Sequence, residues 1–326
     1  MSAEAKIVVE GFVKYAGARS ALAYVSAGGR EYTFSAGAGS PRTADDRFRV
    51  GSVSETFLAV IVLQLAAEGK LRLDDSLTRY VDRAYGPGDR ITLRQLLGHR
   101  SGLADYGSFA WWLERANRRN DLRPLDLLKA AELQPRAFTP PGSSFAYSLT
   151  DYIALGLVVE KVTGHSVAQE LTRRIVRPLR LSQTELASTR TVSGVHDPGP
   201  GINPNLLWAA SGVVSTAREL SLFFSALLSG RLVPRASLKA MEQTVQDPNG
   251  SDRFGLGLLA FDLPCGAFWG RTGTVILPGD ARAAAGYTVG TSATVAASAD
   301  GSRVAVVEAS GGASGVSPPM EALLCR

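Results

Sequence analysis

The chain has 326 residues, 45% of them hydrophobic, and a formal charge of +5. That supplies enough apolar material for one large core or two closely joined lobes. No run of about 18 or more apolar residues occurs, so a membrane-spanning helix is not expected. Residues 1–17 carry Glu4, Lys6, Glu10 and Lys14 and lack the basic-then-apolar order of a secretory leader. The two cysteines, Cys265 and Cys325, lie far apart in sequence. A disulfide framework is therefore not expected, and a reducing cytoplasm is the expected location. The positive charge comes mainly from scattered arginines, densest at Arg115 to Arg119 and Arg173 to Arg180. Neither cluster has interleaved aromatics or matches a nucleic-acid module, so both read as solvated surface and no nucleic-acid partner is expected. His99, His165 and His196 show no paired ligand spacing. No G-x-x-x-x-G-K-[ST] loop is present. Neither a metal nor another cofactor is expected.

In chain order, Ala21 to Val25 and Glu31 to Phe34 read as strands around a Gly28-Gly29 turn. Glu55 to Gly69 reads as a helix that stops at its glycine. Ile153 to Val162 and Val167 to Val176 read as two helices broken at Gly164, and Thr216 to Leu228 as another. Ser292 to Ala297 and Arg303 to Glu308 form a second hairpin around Ala299-Asp300-Gly301. No internal repeat or low-complexity linker separates these pieces. The expected fold is α+β: an antiparallel sheet built from both chain ends, flanked by helices, with a mostly helical region inserted. This gives a single domain over 1–326, with a sheet lobe of about 1–50 plus 255–326 and a helical lobe of about 51–254.

The chemistry concentrates around Gly51-Ser52-Val53-Ser54-Glu55, at the expected start of a helix. Ser52 and Glu55 are three apart, so their side chains reach one face of the first turn. From the residues alone, two readings stand. One is a capping box, Ser52 with the Glu55 backbone and Glu55 reaching back. The other is a serine nucleophile with a carboxylate partner.

The surrounding sequence resembles the serine β-lactamase and penicillin-binding-protein family, whose members include class C β-lactamases, D,D-carboxypeptidases and esterases. Phe48 to Phe57 is similar to that family's G-S-x-S-K-x-F segment. Gly69-Lys70-Leu71, Ile91 to Leu103, Pro141 to Gly156, Ala210 to Ala217 and Gly270 to Thr274 follow in the family's order. The resemblance covers about residues 20 to 310 and implies a β-lactamase/transpeptidase-like fold. It implies that Ser52 is the nucleophile, that Tyr147 handles protons, and that the backbone N–H groups of Ser52 and Thr274 hold an oxyanion. It also places Leu149, Arg271, Thr272 and Gly273 against substrate.

Three departures stand out. Glu55 occupies the place of the motif lysine, Leu149 that of an asparagine, and Arg271 that of a lysine or histidine. An ionised glutamate is a weak base at neutral pH, and its charge disfavours tyrosinate, so Tyr147 is expected to stay a proton donor. Arg271 offers a planar fork for a carboxylate, either of a substrate or of Glu55. The aromatic run Tyr106 to Trp112 reads equally as a substrate wall or as core.

The expected function is a serine hydrolase or acyltransferase acting on an ester, amide or related carbonyl of a small molecule. One alternative is a non-hydrolytic isomerase, cyclase or lyase of secondary metabolism, using Glu55 and Tyr147 as acid and base. The other is a non-catalytic ligand-binding homologue. Oligomeric state is left open.

Overall fold

The computed structural model describes residues 2–15, 17–39, 41–81, 90–108, 110–195, 201–250, 252–275, 290–311 and 319–325. His196 and Phe109 lie outside them. Eleven strands are described: β1 Ser20–Ala27, β2 Arg30–Gly37, β3 Arg47–Arg49, β4 Glu185–Leu186, β5 Val213–Thr216, β6 Val245–Gln246, β7 Arg253–Phe254, β8 Leu259–Leu263, β9 Gly266–Thr274, β10 Thr291–Ser298 and β11 Arg303–Ser310. Eight form one antiparallel sheet in the order β2-β1-β11-β10-β9-β8-β7-β6, and β3-β5-β4 form a small second one. The two terminal hairpins thus join in one sheet, β1 pairing with β11 from Ser20↔Ser310 to Ala27↔Arg303. The short strands β6 and β7 extend the sheet upstream of the expected start of its second segment.

Alternation along the strands gives the sheet two buried faces. Ala21, Ala23 and Val25 pack with Val8, Val9 and Phe12 of the Ser2–Tyr15 helix and Leu323 and Leu324 of the Met320–Leu324 helix. Leu22, Tyr24, Val295 and Val306 face the main core. At the centre of that core runs the Ser54–Ala67 helix, buried from Ser54 through Leu63 on every side. Such a helix is apolar all round because it has no solvent face to serve. Phe57 stacks on Phe223 of the Ala217–Leu228 helix with ring centroids 3.8 Å apart. Glu55, on the first turn of this central helix, is therefore fully enclosed. The helix expected over residues 167–176 divides into an α-helical Val167–Leu171 and a π-helical Thr172–Val176. Arg174, within the expected solvated cluster, is instead buried between Glu68 and Glu170.

The cysteine expectation fails. Cys265 and Cys325 form a disulfide, with Cα atoms 5.3 Å apart across a separation of 60 residues. The sequence hides this pairing because it depends on where the sheet places its hairpin turn. Cys265 lies in the β8–β9 turn, and the Met320–Leu324 helix returns to the same end of the sheet. No helix among the described residues is long and apolar enough to cross a membrane.

Closing a loop of this length should stabilise the fold by about 4 kcal/mol in the chain-entropy account. Thermal melts with and without dithiothreitol should show a clear fall in Tm on reduction. The Cys265→Ser/Cys325→Ser protein should melt at the reduced value in both buffers.

Candidate active site

Ser52 lies in a 3-10 turn, Gly51–Val53, that leads into the central helix. The helix has Val53 at its N-cap and no side-chain cap, so the capping-box reading of Ser52 and Glu55 does not hold. Ser54 fixes the turn instead. Its hydroxyl donates to Gly51 O at 2.7 Å and accepts from the Val213 N–H at 3.0 Å, tying the turn to β5.

The far side of the turn is set by β9. A Cβ placed on Gly273 would lie 2.2 Å from Val50 O and 2.7 Å from Ser52 N. One placed on Gly51, where φ is +57°, would lie 2.6 Å from Thr274 N. Only glycines permit this approach, since such distances are far inside van der Waals contact. The backbone N–H groups of Ser52 and Thr274 therefore belong to two chain segments in direct contact.

Tyr147 and Ser148 come just before the Leu149–Thr163 helix, whose Tyr152 hydroxyl donates to Leu97 O at 2.8 Å. The Tyr147 hydroxyl lies 2.7 Å from Ser52 Oγ and 2.7 Å from Glu55 Oε1. Burial pushes the pKa of Tyr147 well above its ordinary value, so it remains a phenol at neutral pH. Arg271, on β9 and 1% exposed at its side chain, donates to Glu55 Oε2. Its Nε also reaches Ser52 O at 3.4 Å. Burial lowers the Arg271 pKa to about 9, which leaves it a cation at neutral pH. Of its two terminal nitrogens, Nη2 goes to Glu55, while Nη1 has no hydrogen-bond partner among the described residues. The guanidinium carbon lies 5.3 Å from the Phe254 ring centroid and 5.6 Å from that of Tyr147.

His99 was not singled out as a site residue. Its Nε2 lies 3.2 Å from Glu55 Oε2, and the Ser148 N–H donates to its Nδ1 at 3.3 Å. The same Nε2 lies 3.1 Å from Arg271 Nη2, so the ring stands between the Glu55–Arg271 pair and the Ser148 backbone. Behind it, Asp151 Oδ2 lies 3.6 Å from His99 Nδ1, and Ser101 donates to Asp151 Oδ1 at 2.5 Å. Burial raises the Asp151 pKa to about 6. His99 holds φ at +52°, uncommon outside glycine, which is one signal of a constrained position.

Leu149 donates its N–H to Asp105 Oδ1 at 3.2 Å, and its side chain packs over Gly107. Thr272, Gly273 and Thr274 line a cavity of about 280 Å³ with Ser292, Thr294, Asp252 and Phe261 among the other walls. Tyr106 is core, 1% exposed, and donates to Leu206 O at 2.7 Å, with Trp112 edge-on against it. Among the described residues, no group of three or more His, Cys, Asp or Glu side chains is placed to hold a metal ion.

The β-lactamase family profile matches residues 7–315. The chain belongs to the β-lactamase family. A D-stereospecific amidohydrolase from Streptomyces sp. is 30% identical, with a TM-score of 0.84, over 99% of this chain and 98% of that one. Esterase EstB of Burkholderia gladioli is 33% identical over 183 residues, 50% of this chain and 45% of that protein. Protein flp of Staphylococcus aureus strain MW2 is 31% identical over 148 residues, 44% of this chain and 28% of that protein. The chain thus matches less than half the length of these two curated relatives. This β-lactamase-family chain has the helix-and-antiparallel-sheet fold of its solved neighbours, and its relatives include hydrolases.

Two outcomes follow from the geometry. Arg271→Met should cost about 3–5 kcal/mol in urea denaturation, because it strands the Glu55 carboxylate in the core. Adding Glu55→Gln should recover most of that loss. Gly273→Ala should cost about 1–3 kcal/mol by overpacking, and it should impair turnover beyond what the stability change accounts for, as read from kcat at a temperature where the protein is folded.

Proposed function

We propose that this protein is a serine hydrolase that cleaves an amide or ester of a small molecule through an acyl-enzyme on Ser52. In this reading Tyr147 and Glu55 form its proton relay. The observation that carries the reading is the Tyr147 hydroxyl, 2.7 Å from both Ser52 Oγ and Glu55 Oε1. A phenol has one proton to donate. An ionised carboxylate is the stronger acceptor, so that proton points at Glu55 and Ser52 donates to the phenol oxygen.

As Ser52 Oγ bonds to the carbonyl carbon, its proton passes to Tyr147 and the Tyr147 proton passes to Glu55 Oε1. The bond to the leaving nitrogen or oxygen then breaks, and the relay returns a proton to that atom. Water attacks the acyl-Ser52 ester by the same route in reverse. An alcohol or amine in place of water gives acyl transfer. The tyrosine never needs to become a tyrosinate, which its burial opposes. The backbone N–H groups of Ser52 and Thr274 receive the oxyanion in this scheme. Their direct packing supports that role, and the Streptomyces amidohydrolase and EstB support amide and ester substrates respectively. The bonded cysteine pair supports an oxidising working compartment in preference to the cytoplasm.

A second reading rests on the Tyr147–Glu55 hydrogen bond alone, which does not require Ser52. It gives an acid/base enzyme, such as an isomerase, cyclase or lyase, without an acyl intermediate.

A phosphonate probe should add its mass to Ser52 in intact-protein mass spectrometry. Ser52→Ala should abolish both adduct and turnover, and Tyr147→Phe should lower kcat/KM by about 10²–10⁴-fold. Turnover that survives Ser52→Ala but is lost in Glu55→Gln selects the second reading. Ligand-induced stabilisation with no consumption of any amide or ester selects a binding protein.

A further inference from the structure

His99 carries a further assignment, which rests on the hydrolase reading for its effect on turnover. Its main chain and its ring hold the two residues that flank Tyr147. The Ala146 N–H donates to His99 O at 3.0 Å, and the Ser148 N–H donates to His99 Nδ1 at 3.3 Å. One residue therefore fixes the backbone on both sides of the tyrosine. The opposite edge of the same ring meets Glu55, with Nε2 3.2 Å from Oε2. Glu55 Oε1 in turn lies 2.7 Å from the Tyr147 hydroxyl. The contacts close a circuit that runs from the Tyr147 backbone through the imidazole and the Glu55 carboxylate to the Tyr147 hydroxyl.

The ring is confined in this position. Its centroid lies 4.5 Å from that of Tyr147, 5.3 Å from Tyr152 and 6.0 Å from both Phe145 and Phe254. Asp151 Oδ2 stands 3.6 Å from Nδ1. Two residues upstream, Leu97 O accepts from the Tyr152 hydroxyl at 2.8 Å and from the Gly257 N–H at 3.2 Å. His99 keeps its φ of +52° against this frame, a conformation that a non-glycine residue holds only where its surroundings fix it. Burying an imidazole costs free energy unless its nitrogens find partners, and an apolar side chain would fill the space without that cost. What the imidazole adds is reach in two directions, to the tyrosine segment and to the carboxylate.

We propose that His99 is the positioning residue of the proton relay, a rigid spacer that sets the Tyr147–Glu55 separation by holding the tyrosine's flanking backbone and the glutamate's carboxylate at once. It acts through these two groups. Its loss misaligns the relay and lowers kcat, with little effect on KM.

Two amide variants separate the two ends of the spacer. In His99→Asn the side-chain amide falls where Nδ1 stands and can accept from Ser148, but it is too short for Glu55. In His99→Gln the amide falls where Nε2 stands and reaches Glu55. Asparagine also tolerates a positive φ, which keeps the His99→Asn protein folded. With p-nitrophenyl butanoate as substrate, His99→Asn should lower kcat about 10²-fold with KM within about 3-fold, and His99→Gln should restore kcat to within about 5-fold of the parent. Fluorine NMR of 3-fluorotyrosine placed at position 147 reads the same contact without turnover. Glu55→Gln gives the resonance of the phenol without its carboxylate acceptor. His99→Asn should move the resonance toward that position, and His99→Gln should leave it near the parent's. A protein that does not hydrolyse the ester counts against the acyl-enzyme, and the resonance alone then decides the role of His99. A resonance that His99→Asn does not move overturns the assignment. So does an equal displacement in His99→Asn and His99→Gln, and so does a His99→Asn protein whose kcat is unchanged or whose loss lies wholly in KM.

Discussion

A carboxylate on the first turn of a helix that has no solvent face must be neutralised where it stands. Glu55 is in that position, and Arg271 neutralises it from the neighbouring sheet. Much of the site follows from this pair. It fixes β9 laterally against the central helix. It occupies Glu55 Oε2, together with His99, and leaves Oε1 directed at Tyr147. It also gives the third-motif cation a partner inside the protein. A surface ion pair would contribute little, but in an enclosed site the two charges depend on each other for their solvation.

Compared with the motif pattern that the chain resembles, the substitutions act as a set. The first motif exchanges a potential cation for an anion, and the third keeps a cation that is permanently charged. Lysine can act as a base by losing its proton, whereas the delocalised guanidinium of arginine stays charged near neutrality. In the proposed hydrolase, basic function therefore moves to the carboxylate, and the tyrosine becomes a conduit that stays protonated. Placing Arg271 opposite Glu55 makes the exchange compatible with burial.

The two terminal hairpins were readable because period-2 patterning and turn residues are local signals, and the ordered motifs located Ser52, Tyr147 and Arg271. Their convergence required tertiary geometry. The capping-box reading failed because Ser52 precedes the helix by a 3-10 turn that Ser54 stabilises, a one-turn difference that patterning cannot resolve. His99 lies within the Ile91 to Leu103 motif segment, but neither that segment nor histidine spacing indicates that its ring meets Glu55. Its positive φ and its contact with Glu55 arise only when the loop after Leu97 folds under Tyr147. The disulfide was invisible for a related reason: sixty residues of separation say nothing about two chain segments that meet at one end of a sheet.

The period-2 geometry of β9 divides its labour between two faces. Arg271 and Gly273 are held against the catalytic turn, one by charge and the other by lack of room, while Thr272 and Thr274 face the neighbouring cavity. Descendants of this chain can therefore diversify unevenly along four consecutive residues. The threonine side chains border open space, while the arginine and glycine positions admit change only together with their partners. A one-residue insertion between Gly266 and Gly270 would exchange the two faces at once, so the strand's length is itself under constraint.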